Sequence, residues 1–147
     1  MSYLEALYGS QYAELVQNGH SGENGRTNGN LFLTAIIIMS FLCGFGVLML
    51  ILSALHFPAN EWLNNIAVST GLTGKKMGIF VALPLLIIIY FILNKSLGND
   101  EQYKKYCAAY MQATNEEKES ANKKTLRPLF GLIILFFVII FLSTIIH

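Results

Sequence analysis

The chain has 147 residues, of which 54% are hydrophobic and 13% charged, with a formal net charge of +1. Soluble chains carry about 25% charged residues, and here the charges are missing in blocks: no Asp, Glu, Lys or Arg occurs in 31–57, 77–94 or 129–147. Three such runs leave too little polar surface to cover a soluble core, and the near-zero net charge gives no long-range field for nucleic acid, so both classes are excluded.

Residues 1–17 read as an amphipathic helix. Ser2 and Glu5 have the spacing of a capping box, in which each side chain serves the other's backbone amide. Leu4, Leu7, Tyr8, Tyr12, Leu15 and Val16 recur at the helical period, with Glu5, Gln11 and Glu14 facing away. Residues 18–30 are mostly Gly, Asn and Ser, a composition expected to form a flexible linker. This long polar lead, with no short basic n-region, distinguishes the first apolar run from a cleaved signal sequence.

The first transmembrane helix is expected over 31–57. At 1.5 Å per residue it is roughly 40 Å long, longer than a hydrocarbon core of about 30 Å, so it tilts or emerges. Ser40, Cys43 and Gly44 are its candidate helix-packing residues, because small side chains let two backbones approach closely in lipid. Packing on the chain's own spans and packing on a partner both fit them. Cys43 and Cys107 lie at different depths, mid-span and in a polar segment, so no disulfide is expected.

An outer loop follows over 58–76. Trp62, Leu63 and Ile66 share one side of a short turn, and Trp62 suits the headgroup level. Gly71-Leu72-Thr73-Gly74-Lys75-Lys76 has a phosphate-loop look but only two residues between its glycines, and no Ser or Thr after the lysine. It reads as a turn into the next span. His56, Glu61 and His147 are suitable zinc ligand types, yet their spacing fixes no geometry. They read as interfacial polar residues, and neither metal nor cofactor is expected.

The second span covers 77–94, bracketed by Lys75, Lys76 and Lys95, with Pro84 expected to kink it. Residues 95–128 form a polar segment whose helix Asn99 or Asp100 could cap. In it Tyr103, Tyr106, Cys107, Tyr110, Met111 and Thr114 fall on one helical stripe. That stripe could lie on the membrane, pack on the N-terminal helix or dock a partner. Tyr103, Tyr106, Tyr110 and Met111 are the candidate partner contacts. The third span follows Arg127-Pro128, over 129–147.

With three crossings, the N-terminus and 95–128 share one side. That side holds Arg26, Lys95, Lys104, Lys105, Lys118, Lys123, Lys124 and Arg127, against Lys75 and Lys76 opposite. The positive-inside rule therefore places it in the cytoplasm and the C-terminus outside, as in a cytoplasmic (inner) membrane protein. The fold class expected is an all-α integral membrane protein of three transmembrane helices and two amphipathic cytoplasmic helices.

No ionisable residue of the Asp, Glu, Lys or Arg type lies within a span, where transport and proton relay ordinarily need one. There is no HExxH motif, paired carboxylates or Ser-His-Asp arrangement either. The function expected is non-enzymatic: an accessory, scaffold or immunity-type subunit that contacts another membrane protein or self-associates in the lipid bilayer. The alternative is a homo-oligomeric pore-forming or membrane-perturbing effector, for which the Ser40–Ser53 side of the first span would have to line the pore.

Overall fold

The capping box at the start of the chain forms as its residues dictate. Glu5 N donates to Ser2 Oγ at 3.3 Å, and Ser2 N donates to Glu5 Oε2 at 2.7 Å. The box opens α1 (Tyr3–Gln17), and Gly19, at φ 74°, takes the left-handed conformation just beyond its end. The structure, a computed structural model describing residues 1–56, 58–71 and 74–146, continues with five more helices and has no strand among those residues. They are α2 (Asn24–Ala54), α3 (Ala59–Thr70), α4 (Gly74–Lys95), α5 (Asp100–Gln112) and α6 (Asn115–Ile146).

Four boundaries differ from the sequence expectation, each for a physical reason. α2 begins at Asn24, so the expected linker over 18–30 is a turn only as far as 23. Its Gly25 and Gly29 are buried against Tyr12, Tyr103 and Tyr8, and this packing supplies the order that polar composition alone cannot. The expected loop over 58–76 is largely the helix α3, ended by Gly71 at φ 66°. The stripe over 103–114 breaks at Ala113, because Thr114 and Glu117 form a second capping box. From there α6 runs unbroken through Pro128 to Ile146. Proline removes a ladder bond to Lys124 O, at a position where the residue is exposed.

α2 has 31 residues and α6 has 32, roughly 46 and 48 Å. Both are long and apolar enough to cross a membrane, and both exceed the hydrocarbon core at one end. The surplus is the polar end of each: Asn24 to Asn30 in α2, and the charged first turns of α6. The Ile79–Lys95 stretch of α4 passes the same test as a pair with α5 (Asp100–Gln112), to which it is bent by 69°. So the chain is all-helical with two membrane-length helices, or three if the bent pair counts as one crossing.

Packing is concentrated at one end of the molecule. The buried cluster is Leu7 and Tyr8 of α1, Leu33 of α2, Leu93 of α4, and Tyr103 and Cys107 of α5. Further along, α2 and α6 stay together. Cys43 is buried with its Sγ 3.5 Å from Leu132 O, and Gly46 gives room to the Ile139 side chain. The rest of the apolar surface faces outward, with Phe41, Phe80, Phe137 and Phe141 each more than half exposed, as lipid-facing residues would be.

Candidate functional site

Among the described residues, polar chemistry is built into the interior at the junction of α1, α2, α5 and the turn after α4. α1 lies across it and delivers Tyr8, which is wholly buried, as is Asn30 of α2. The Tyr8 hydroxyl donates to Asn30 Oδ1. Asn30 Nδ2 donates in turn to Asn94 Oδ1 at 3.2 Å and to Gly98 O at 3.4 Å. One asparagine therefore ties three segments together. Thr34 Oγ1 closes the set by donating to Asn30 O at 2.7 Å, and every buried side-chain polar atom among the described residues has a partner.

Tyrosines surround this core. Tyr106 stacks on Tyr8 with centroids 5.5 Å apart, and Tyr103 meets Tyr8 edge-on at 5.9 Å. Such pairs add about 0.5–1.5 kcal/mol each beyond area burial. The Tyr103 hydroxyl donates to Gly22 O, and Arg26 pairs with Asp100, fixing the start of α2 to the start of α5. Glycines make this closeness feasible. A Cβ on Gly29 would enter the Tyr8 ring, and one on Gly9 would enter Tyr110. On the far side Tyr3 Oη donates to Thr125 O at 3.2 Å, and Asn122 Nδ2 donates to Tyr110 Oη at 3.1 Å, so α6 is held as well.

Electrostatically the junction is neutral. Burial pushes the Tyr8 phenol well above its ordinary value of 10.0, with Tyr106 and Tyr90 adding to the effect. Burial, followed by the neighbouring Cys107, does the same to Tyr103. Both remain protonated donors. Cys107 is raised by burial too, so it is a packed thiol in an apolar cluster and not an activated nucleophile.

The expected site residues are placed as follows. Tyr103 and Tyr110 are buried and Tyr106 is half-buried, all packed against α1, so of the three uses open to the stripe the packing on the N-terminal helix is the one seen within the chain. Only Met111 is exposed. Of the helix-packing trio, Cys43 lies in the α2–α6 contact. Ser40 and Gly44 do not; both are exposed, and a Cβ on Gly44 would meet nothing within 4 Å. Gly46 makes the close approach instead. No three His, Cys, Asp or Glu residues converge among the described residues. His56 sits at φ 56° just past α2, while His147, Thr73 and the Trp62 side chain lie outside the described residues.

Sequence reasoning missed Tyr8, Asn30, Asn94 and Gly98 as one unit. A signal existed in Gly22, Gly25 and Gly29, whose i, i+3, i+7 spacing is that of a helix face and not of a linker. Comparison with protein-family models, with curated proteins and with solved structures finds no match.

Proposed function

We propose that the chain is a three-span membrane protein acting as a non-enzymatic accessory subunit that contacts another membrane protein through α4. In this reading α2, α4 and α6 all cross. The α1–α5 layer and the charged start of α6 lie on the cytoplasmic side, where the excess of Lys and Arg favours them, and α3 lies on the opposite surface.

One observation carries the reading. The α1–α5 junction clamps α4 at its C-terminal end, through Leu93 and Asn94, but every residue from 79 to 88 is exposed. On the side turned away from Leu93, Phe80, Ile87 and Phe91 recur near the helical period and are 68%, 51% and 59% exposed. A helix fixed at one end, with a continuous apolar face toward the bilayer, suits a partner helix. The covered tyrosine stripe does not offer such a face.

The test is a photo-crosslinking residue placed at Phe80 or Phe91 in native membranes. The reading expects one discrete adduct with another membrane protein, and none from the same residue at Phe141 of α6. Adducts with lipid alone at all three positions would contradict it.

A further inference from the structure

We infer that the outer face of α6 around Lys124, Arg127 and Gly131 is a docking site for one anionic phospholipid, its phosphate on the two cations and an acyl chain in the notch below them. The site depends on α6 crossing the membrane and not on a partner for α4.

α6 turns one face inward along its length. Ala121, Thr125 and Ile139 are buried, and Cys43 of α2 reaches Leu132 O. The opposite face carries two kinds of residue in succession. Phe130, Ile134, Phe137 and Phe141 recur at steps of three or four and are each more than half exposed. One turn before them Lys124 and Arg127 are exposed as well. No Asp, Glu, Lys or Arg follows from Leu129 to the end of α6. The change from charged to apolar surface therefore falls within a single turn, as it does where headgroups meet hydrocarbon.

Charge complementarity selects the occupant. Among the described residues Lys123 is held by Glu119 at 2.7 Å, whereas Lys124 and Arg127 make no ion pair. The nearby carboxylates do not answer them. Glu117 accepts from the Thr114 amide and hydroxyl, and Glu116 precedes Arg127 by roughly 16 Å of helix, beyond a Debye length of about 8 Å. Lys124 and Arg127 stand three apart on one side of the helix, and a guanidinium takes phosphate oxygens two at a time. Gly131 follows Arg127 by four residues and Lys124 by seven, so it lies directly beneath both. A Cβ there would meet nothing within 4 Å, which leaves a notch beside Phe130 and Ile134. Gly44 of α2 is equally open, but no Lys or Arg occurs in 31–57 to hold a headgroup above it. A zwitterionic lipid would bring its own ammonium toward the two cations. An anionic one does not, and each basic residue at an anionic surface is worth about fivefold in affinity.

The experiment reconstitutes the full-length protein into phosphatidylcholine vesicles with a small share of a probe lipid, either phosphatidylglycerol or phosphatidylcholine. Both probes carry the same photoactivatable group near the start of one chain, and the adducts are mapped. The phosphatidylglycerol probe should label residues 127–135 about fivefold more than the phosphatidylcholine probe, and the two should label 31–41 of α2 alike. Lys124→Gln with Arg127→Gln should abolish the preference, whereas Arg127→Lys should retain it. Gly131→Leu, which fills the notch, should lower labelling at 127–135 with both cations intact; should that variant fail to insert, Gly131→Ala is expected to act in the same direction. A preference that survives the double Gln variant would overturn the site. So would one indifferent to Gly131→Leu, leaving only diffuse attraction to a cationic helix end. Disulfide-linked dimers of Gly131→Cys in place of lipid adducts would overturn it in favour of a second copy. Absence of label from 129–146 with either probe would instead refute the crossing of α6 on which the site depends.

Discussion

Asn30 is the residue on which the junction depends, since its amide accepts from Tyr8 and donates to Asn94 and Gly98. Tyr8→Phe keeps the ring stacked but leaves a buried amide oxygen without its donor, a loss of about 1–3 kcal/mol. A drop in detergent melting temperature for Tyr8→Phe, with Tyr106→Phe close to wild type, is the expected result. The same phenol gives the junction a pH limit. The folded state holds Tyr8 and Tyr103 neutral beyond the pH at which free tyrosine ionises, with the ordinary value at 10.0. Their contribution is thus complete below that value and is lost as pH rises above it. Melting temperature should be flat from neutrality to pH 9 and fall beyond pH 10, and the fall should be shallower in Tyr8→Phe. Glycine positions separate packed from open surface in the same assay. Gly29→Ala drives a methyl group into the Tyr8 ring and should cost about 1–3 kcal/mol, whereas Gly44→Ala meets nothing and should be neutral.

Among the elements, the ones legible in the sequence are those specified by local signals. The Ser2–Glu5 box gives α1, and charge-free runs locate the apolar parts of α2, α4 and α6. What was missed depends on distant partners. The 18–30 stretch reads as a linker because nothing within it is apolar, yet seven of its residues are helical once tyrosines of α1 and α5 lie over its glycines. The tyrosine stripe was recognised as an apolar face, but one sequence does not say which of three surfaces covers it. The break between α5 and α6 was readable. Thr114-Asn115-Glu116-Glu117 is a capping box, overlooked because the stripe's period ran on to Thr114. Glu117 accepts from the Thr114 amide and hydroxyl, which hold its carboxyl below the ordinary range. Its support of α6 is therefore present above that range and fades as pH falls through the lowered value. Thr114→Ala should fray the first turn of α6, seen as faster amide exchange at 115–118, without altering insertion.

At the scale of the whole molecule, three helices are gathered at one end by a self-covered tyrosine layer and expose apolar surface elsewhere. α2 and α6 each have the length and apolarity to cross a membrane, and a third crossing is added if α4 and α5, bent by 69°, count as one span. The proposed partner face of α4 and the proposed cytoplasmic place of the α1–α5 layer both depend on α4 crossing too. Ser69, at the end of α3, and Ser120, in the polar start of α6, are both exposed and lie on either side of α4 in the chain. The native Cys43 and Cys107 are buried and leave little background. On intact cells an impermeant thiol reagent should modify Ser69→Cys, and should reach Ser120→Cys only after the membrane is opened. If both variants react from the same side, α4 does not cross and the chain does not have three spans.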